Sequence, residues 1–163
     1  MFKKIALAAV LATAAASSFA ATPGFYAGAD VGSTKIDGLS GNQASFGAFA
    51  GYSFNQNFAV EGAYRRLGTW NVMGYDVDAD QTSVSLLGTL PLNAQFNVYA
   101  RLGYNNMGAS ASYGGIKAST SQNGGLYGVG VGYNFNKQIS ARVEVQKPAS
   151  DTTNVNVGIV YSF

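Results

Sequence analysis

Histidine and cysteine are both absent from this 163-residue chain, so strong side-chain chemistry falls to carboxylates and guanidinium groups. Six of these matter most: Asp30, Glu61, Arg65, Arg101, Arg142 and Glu144, three acids and three bases, each on the polar side of a segment in which apolar and polar residues alternate. Such a set predicts ion pairing, because an unpaired charge in a confined interior costs several kcal/mol whereas a hydrogen-bonded network is tolerated. It does not predict catalysis. A serine hydrolase needs a base for its hydroxyl, and an aspartate-dyad protease of the barrel type needs a histidine partner; neither is available. Transition-metal ligands are missing with them, and no cofactor is expected. Asp76, Asp78 and Asp80 form an Asp-x-Asp-x-Asp run that could touch Ca²⁺, but it lacks the sixth-position glycine and closing glutamate of an EF-hand loop. A solvated loop end is the plainer reading.

The elements that must position the six charges are strands. Side chains alternate between two faces of a strand, and the alternation recurs in eight segments of about ten residues, the length that crosses a membrane at a steep tilt. The first, 25–34, puts Phe25, Ala27, Ala29 and Val31 on one face, with Tyr26 and Asp30 on the other. The second, 44–54, has Phe46, Ala48, Ala50, Tyr52 and Phe54 on its apolar face. The third, 58–67, opposes Phe58, Val60 and Tyr64 to Glu61 and Arg65. Segments 81–90 and 95–105 follow, the latter opposing Leu102 and Tyr104 to Tyr99 and Arg101. Segment 124–135 alternates Tyr127, Val129, Val131 and Tyr133 with glycines; 139–147 carries Arg142 and Glu144; and 154–163 ends on Tyr161 and Phe163. Segments two, four and six are followed by connections of about three or four residues. The connections 35–43, 68–80 and 106–123 are longer, and 148–152 is short.

The oily face of these segments is larger than the polar one, which suits lipid outside and a polar bore inside. An exported soluble barrel of lipocalin type would instead need an apolar interior. The start of the chain agrees. Residues 1–20 carry Lys3 and Lys4, an apolar run and a small-x-small ending at Ala20, which reads as a cleaved secretory signal, leaving 21–163 as one barrel domain. With Lys3 and Lys4 removed, eight basic residues balance eight acidic ones, and nothing points to nucleic acid. The expected architecture is all-β: an eight-stranded antiparallel up-and-down transmembrane barrel in a bacterial outer membrane, both termini periplasmic, and monomeric.

The opening Gly-Phe-Tyr-Ala-Gly-Ala-Asp-Val-Gly (24–32), the Phe-Gly-Ala-Phe-Ala-Gly-Tyr run (46–52), the Phe-Ala-Val-Glu-Gly-Ala-Tyr run (58–64) and the Phe-terminated last strand resemble the small OmpA/OmpX-type outer-membrane β-barrel family over nearly the whole mature chain. That resemblance implies a lumenal gate built from glutamate and basic residues, onto which Glu61, Arg101, Arg142 and Glu144 map by strand and facing. It implies no peptidoglycan-binding domain, since the chain stops at Phe163, and it departs from the OmpX pattern of projecting strands because the loops look short and rich in Gly and Ser.

The charge network is open to two readings: a structural plug that fills and neutralises the bore, or a salt-bridge gate for ions. The expected partners are outer-membrane lipid, lipopolysaccharide, and the barrel-assembly machinery through a C-terminal signal at Tyr161 and Phe163. Arg66 falls on the lipid side, where it could meet lipopolysaccharide phosphates or simply snorkel to the interface. Trp70 and Tyr75 read as girdle or loop-packing residues. The expected role is structural, in membrane integrity, with at most a narrow ion pathway; the alternative is a surface adhesin or ligand-binding barrel acting through its extracellular loops, in which the Gly/Ser-rich stretch 108–125 is expected to be mobile.

Overall fold

Eight antiparallel strands close on themselves in chain order in the computed structural model. It describes residues 23–38, 41–72, 75–113 and 116–163, with side chains omitted at 70–72, 75–77, 111–113 and 116–119. The expected signal at 1–20 lies outside the described residues. The strands are β1 (Gly24–Ile36), β2 (Gln43–Ser53), β3 (Phe58–Val72), β4 (Tyr75–Pro91), β5 (Phe96–Tyr113), β6 (Ile116–Asn134), β7 (Ile139–Ala149) and β8 (Thr152–Ser162). Closure is made by β1 against β8, from Tyr26 opposite Ser162 to Ile36 opposite Thr152, and Phe163 adds a backbone bond from its N–H to the Phe25 carbonyl. No strand edge is then left bare where the wall crosses hydrocarbon, which is the condition for a sheet to cross at all.

Facing follows the expected parity. Phe25, Val31, Leu86, Leu102, Val129, Val143 and Ile159 are exposed on the outer surface, whereas Asp30, Glu61, Arg65, Arg101, Arg142 and Glu144 are all buried in the bore. Aromatic rings collect at the periplasmic ends of the strands. Phe25, Tyr52 and Phe54 stack edge-on in series, as do Phe96, Tyr133 and Phe135, and Tyr161 meets Phe163 at 5.2 Å. These form the inner aromatic girdle of a membrane barrel.

The three periplasmic turns share one construction. In each, an asparagine side chain reaches forward, Oδ1 accepting from the backbone N–H groups two and three residues on: Asn55 from Asn57 and Phe58, Asn93 from Gln95 and Phe96, and Asn136 from Gln138 and Ile139. This is the local bonding that suits Asn to turns, and it caps donors that would otherwise need water.

The outer half corrects two expectations. The described parts of 68–80 and 106–123 are not loops: β3 to β6 run on as strands, paired as far as Val72 with Tyr75, Asp76 with Ser112, and Tyr113 with Ile116. Their flanks stop earlier, at Phe46 with Arg66 and at Tyr127 with Lys147. Four strands therefore project beyond the closed wall as an open sheet with two free edges, β3 beyond Arg66 and β6 before Tyr127, so the chain does show projecting strands. Gly, Ser and Asn are poor strand formers alone, but here each strand is templated by a registered neighbour. A bulge at Leu67, followed by Gly68 at φ 140°, a conformation L side chains rarely adopt, marks where β3 leaves the closed wall.

Replacing Asn136 with Ala removes two capped donors and is expected to lower the unfolding free energy by about 1 kcal/mol, discounted for exposure. Urea titration of the barrel refolded in detergent, followed by the mobility difference between unheated and boiled samples in SDS, measures this.

Candidate functional site

The centre of the bore is built by the odd-numbered strands. Glu61 from β3 accepts from Arg101 of β5 (Nη2 to Oε1, 2.8 Å), from Arg142 of β7 (Nη1 to Oε2, 2.7 Å; Nη2 to Oε1, 3.1 Å) and from the Tyr26 hydroxyl of β1 (3.1 Å). Glu144 of β7 accepts from Arg101 (Nε to Oε1, 2.6 Å; Nη2 to Oε2, 3.0 Å) and from the Tyr99 hydroxyl (2.9 Å). All four carboxylate oxygens thus have donors. The Glu61 side chain is 0% exposed, and its bond to Arg142 joins strands on opposite sides of the barrel, so the network crosses the bore.

Even-numbered strands make room for it. Opposite these long side chains the register places Gly51 beside Glu61, Gly128 beside Arg101, Gly130 beside Glu144, and Gly132 and Gly158 on either side of Arg142. Three rings lie flat over cross-strand glycines: Tyr26 over Gly51, Phe49 over Gly28 and Tyr99 over Gly130, where an added Cβ would strike the ring. The Arg142 guanidinium sits 3.6 Å above the Phe49 ring, a cation–π contact inside the bore.

The six predicted charges do not form one cluster. Asp30 and Arg65 make a separate two-bond pair (Nε to Oδ1, 3.0 Å; Nη2 to Oδ2, 2.6 Å), bonded among the described residues only to each other. Tyr26 and Tyr99 were legible as inward residues but not as partners, and Phe49 was legible only through parity. A ring opposite a glycine on the adjoining strand was the available signal.

On the outer surface, just above the apolar band, Arg66 meets Asp78 (2.6 Å), which also accepts from Thr69, while the Tyr64 hydroxyl bonds Asp80. The Thr69 hydroxyl and then Arg66 hold the Asp78 carboxyl below its usual range. Both described members of the aspartate run are committed to donors on β3. The side chains of Trp70, Tyr75 and Asp76 lie outside the described residues. Tyr161 and Phe163 are exposed at the periplasmic rim.

An edgeless barrel, oily outside, charged inside and girdled by aromatics, defines a transmembrane barrel of the bacterial outer membrane. Residues 5–163 match the outer membrane protein beta-barrel domain, and the chain belongs to that family. No curated protein matches the sequence. Among solved structures it is similar to Neisserial surface protein A (TM-score 0.74, 17% identity, covering 87% of this chain and 99% of that one). It is similar also to the N-terminal barrel of Pseudomonas aeruginosa OprF (0.64, 12%, 87% and 100%). A third is Ail, the attachment invasion locus protein of Yersinia pestis, solved in complex with the heparin analogue sucrose octasulfate (0.61, 22%, 86% and 97%). At these identities the likeness is one of fold.

Removing Glu61 strands the buried Arg142 guanidinium and leaves Arg101 with Glu144 alone. Glu61→Ala is expected to lower the unfolding free energy by about 3–5 kcal/mol. Glu61→Gln, which keeps an acceptor, should lose less. Urea midpoints equal to the parent's for both variants would mean the network contributes nothing to stability.

Proposed function

We propose that this protein serves the outer membrane as a structural, non-enzymatic barrel that supports membrane integrity, with a bore closed at rest and at most a narrow ion pathway through it. The observation that carries this reading is the saturation of Glu61 and Glu144. Opening a path through their layer requires breaking several charge-assisted hydrogen bonds in a low-dielectric space, and Phe49, Tyr26 and Tyr99 fill volume beside it. A gate that rearranges must offer its charges new partners. Asp30 is already held by Arg65, so the alternatives within the bore are few. Lipid and lipopolysaccharide are the surroundings this role implies, and the exposed Tyr161 and Phe163 suit a strand that the barrel-assembly machinery engages.

One feature favours a second reading, surface contact. The open four-stranded sheet of β3 to β6 presents free backbone edges away from the membrane, the form that pairs with an extended partner segment. Its projecting sequence carries Asp76, Asp78 and Asp80 against Lys117, a balance unsuited to sulfated glycans of the kind solved with Ail.

Single-channel recording in a planar bilayer tests the first reading. The refolded parent is expected to be silent, and Glu61→Ala to remain silent or nearly so because the rings still fill the bore; discrete steady openings of the parent would overturn the closed-barrel role. Deleting residues 108–121 tests the second. Loss of cell attachment with an intact barrel would support contact through the projecting sheet, and unchanged attachment would remove it.

A further inference from the structure

The bore has an oily lid above its charges. Leu67, 0% exposed, and Ala79 are buried together, with Ile36 and Met107 packed against them. These four come from β3, β4, β1 and β5, and all lie at the outer end of the closed wall. Leu67 faces inward in step with Arg65, and the β3 bulge leaves it without a cross-strand partner on β4. On each of the four strands the next inward position toward the periplasm is polar: Arg65 below Leu67, Gln81 below Ala79, Thr34 below Ile36 and Asn105 below Met107.

Under this lid, several polar atoms are buried without protein partners. Among the described residues both amide atoms of Gln81, the Oδ1 of Asn105 and the Oγ of Ser85 lack hydrogen bonds, as do Asn156 Oδ1 on β8 and Arg142 Nε on β7. Gln81 is 2% exposed and Asn105 1%. The atoms of Gln81, Asn105 and Ser85 lie along one wall, since Ser83, between Gln81 and Ser85 on β4, is the cross-strand partner of Asn105 on β5, and Ser85 is the partner of Glu61. Their uncompensated burial would be costly, and groups of this kind recur in proteins as the walls of hydrated cavities.

We propose that the outer half of the bore is a water-holding chamber along β4 and β5, with the ion-pair layer as its floor and the Leu67–Ala79–Ile36–Met107 cluster as its roof. The roof, and not the charge network, is the barrier between the chamber and the cell exterior. An apolar constriction of this kind excludes ions by dewetting. The ion-pair layer blocks passage farther in, so the two closures act in series, and the roof does its work whether or not the charge layer ever opens.

The chain contains no cysteine, so one thiol can be introduced without background. Ser83→Cys is near-isosteric and reports from mid-chamber. The variant is reconstituted in phospholipid vesicles with its outer side exposed and treated with a membrane-impermeant cationic methanethiosulfonate. Labelling is expected to be slow with Leu67 present and at least about tenfold faster in the Leu67→Ser background, as loss of an apolar barrier requires. Met107→Ala serves the same purpose if Leu67→Ser does not fold, and heat-shifted mobility in SDS verifies folding of each. Equal rates with and without the roof, whether fast or slow, would overturn the proposal.

Discussion

Hydrocarbon offers a peptide group nothing to bond with, and the rest of this structure follows from that constraint. It forces the sheet to close, and closure turns one face of every strand inward into a space about as wide as the side chains that fill it. Charges placed there cannot be solvated as on an open surface. They must be settled among themselves, and the bore settles them by giving each acid two or more donors.

Space is rationed as strictly as charge. The charged side chains of the central layer come from β3, β5 and β7, and β6 supplies glycine at the facing positions, so the run Gly128, Gly130, Gly132 is the complement of Arg101, Glu144 and Arg142, while on the other side Phe49 of β2 fills the space over Gly28 of β1. A side chain at Gly128 would press on the Glu144 carboxylate, at Gly130 on the Tyr99 ring and at Gly132 on the Asn97 amide, and at the first two the ion-pair geometry would go with it. The glycines therefore belong to the charge network as much as the residues that carry its charge.

Much of this was legible in the sequence, because a period of two fixes which face a residue takes and short Asn-containing connections fix where the chain turns. The six inward charges were readable on that basis. Their division was not: whether Asp30 stands level with Glu61 depends on the stagger between strands, which a single sequence does not encode. Nor were the outer extensions of β3 to β6, since residues 108–125 have the composition of a loop, and 108–113 and 116–125 become strands only by pairing with neighbours. Leu67 was readable as inward, in step with Glu61 and Arg65, but the bulge that leaves it unpaired against β4 was not.

The lipid-facing band has a consequence for the membrane itself. On β5 it runs from Phe96 through Val98, Ala100 and Leu102 to Tyr104, and on β3 from Phe58 to Tyr64, with Arg66 and Asn106 marking the polar side. At the usual strand rise and tilt this gives about 20 Å of apolar height on β5 and about 15 Å on β3, below the roughly 25 Å common for such barrels. Lipids packed against the wall must shorten or tilt to match it, at a cost of fractions of a kcal/mol per ångström of mismatch. The barrel therefore thins the bilayer around it, so that the annulus of lipid against its wall is shorter than the membrane beyond.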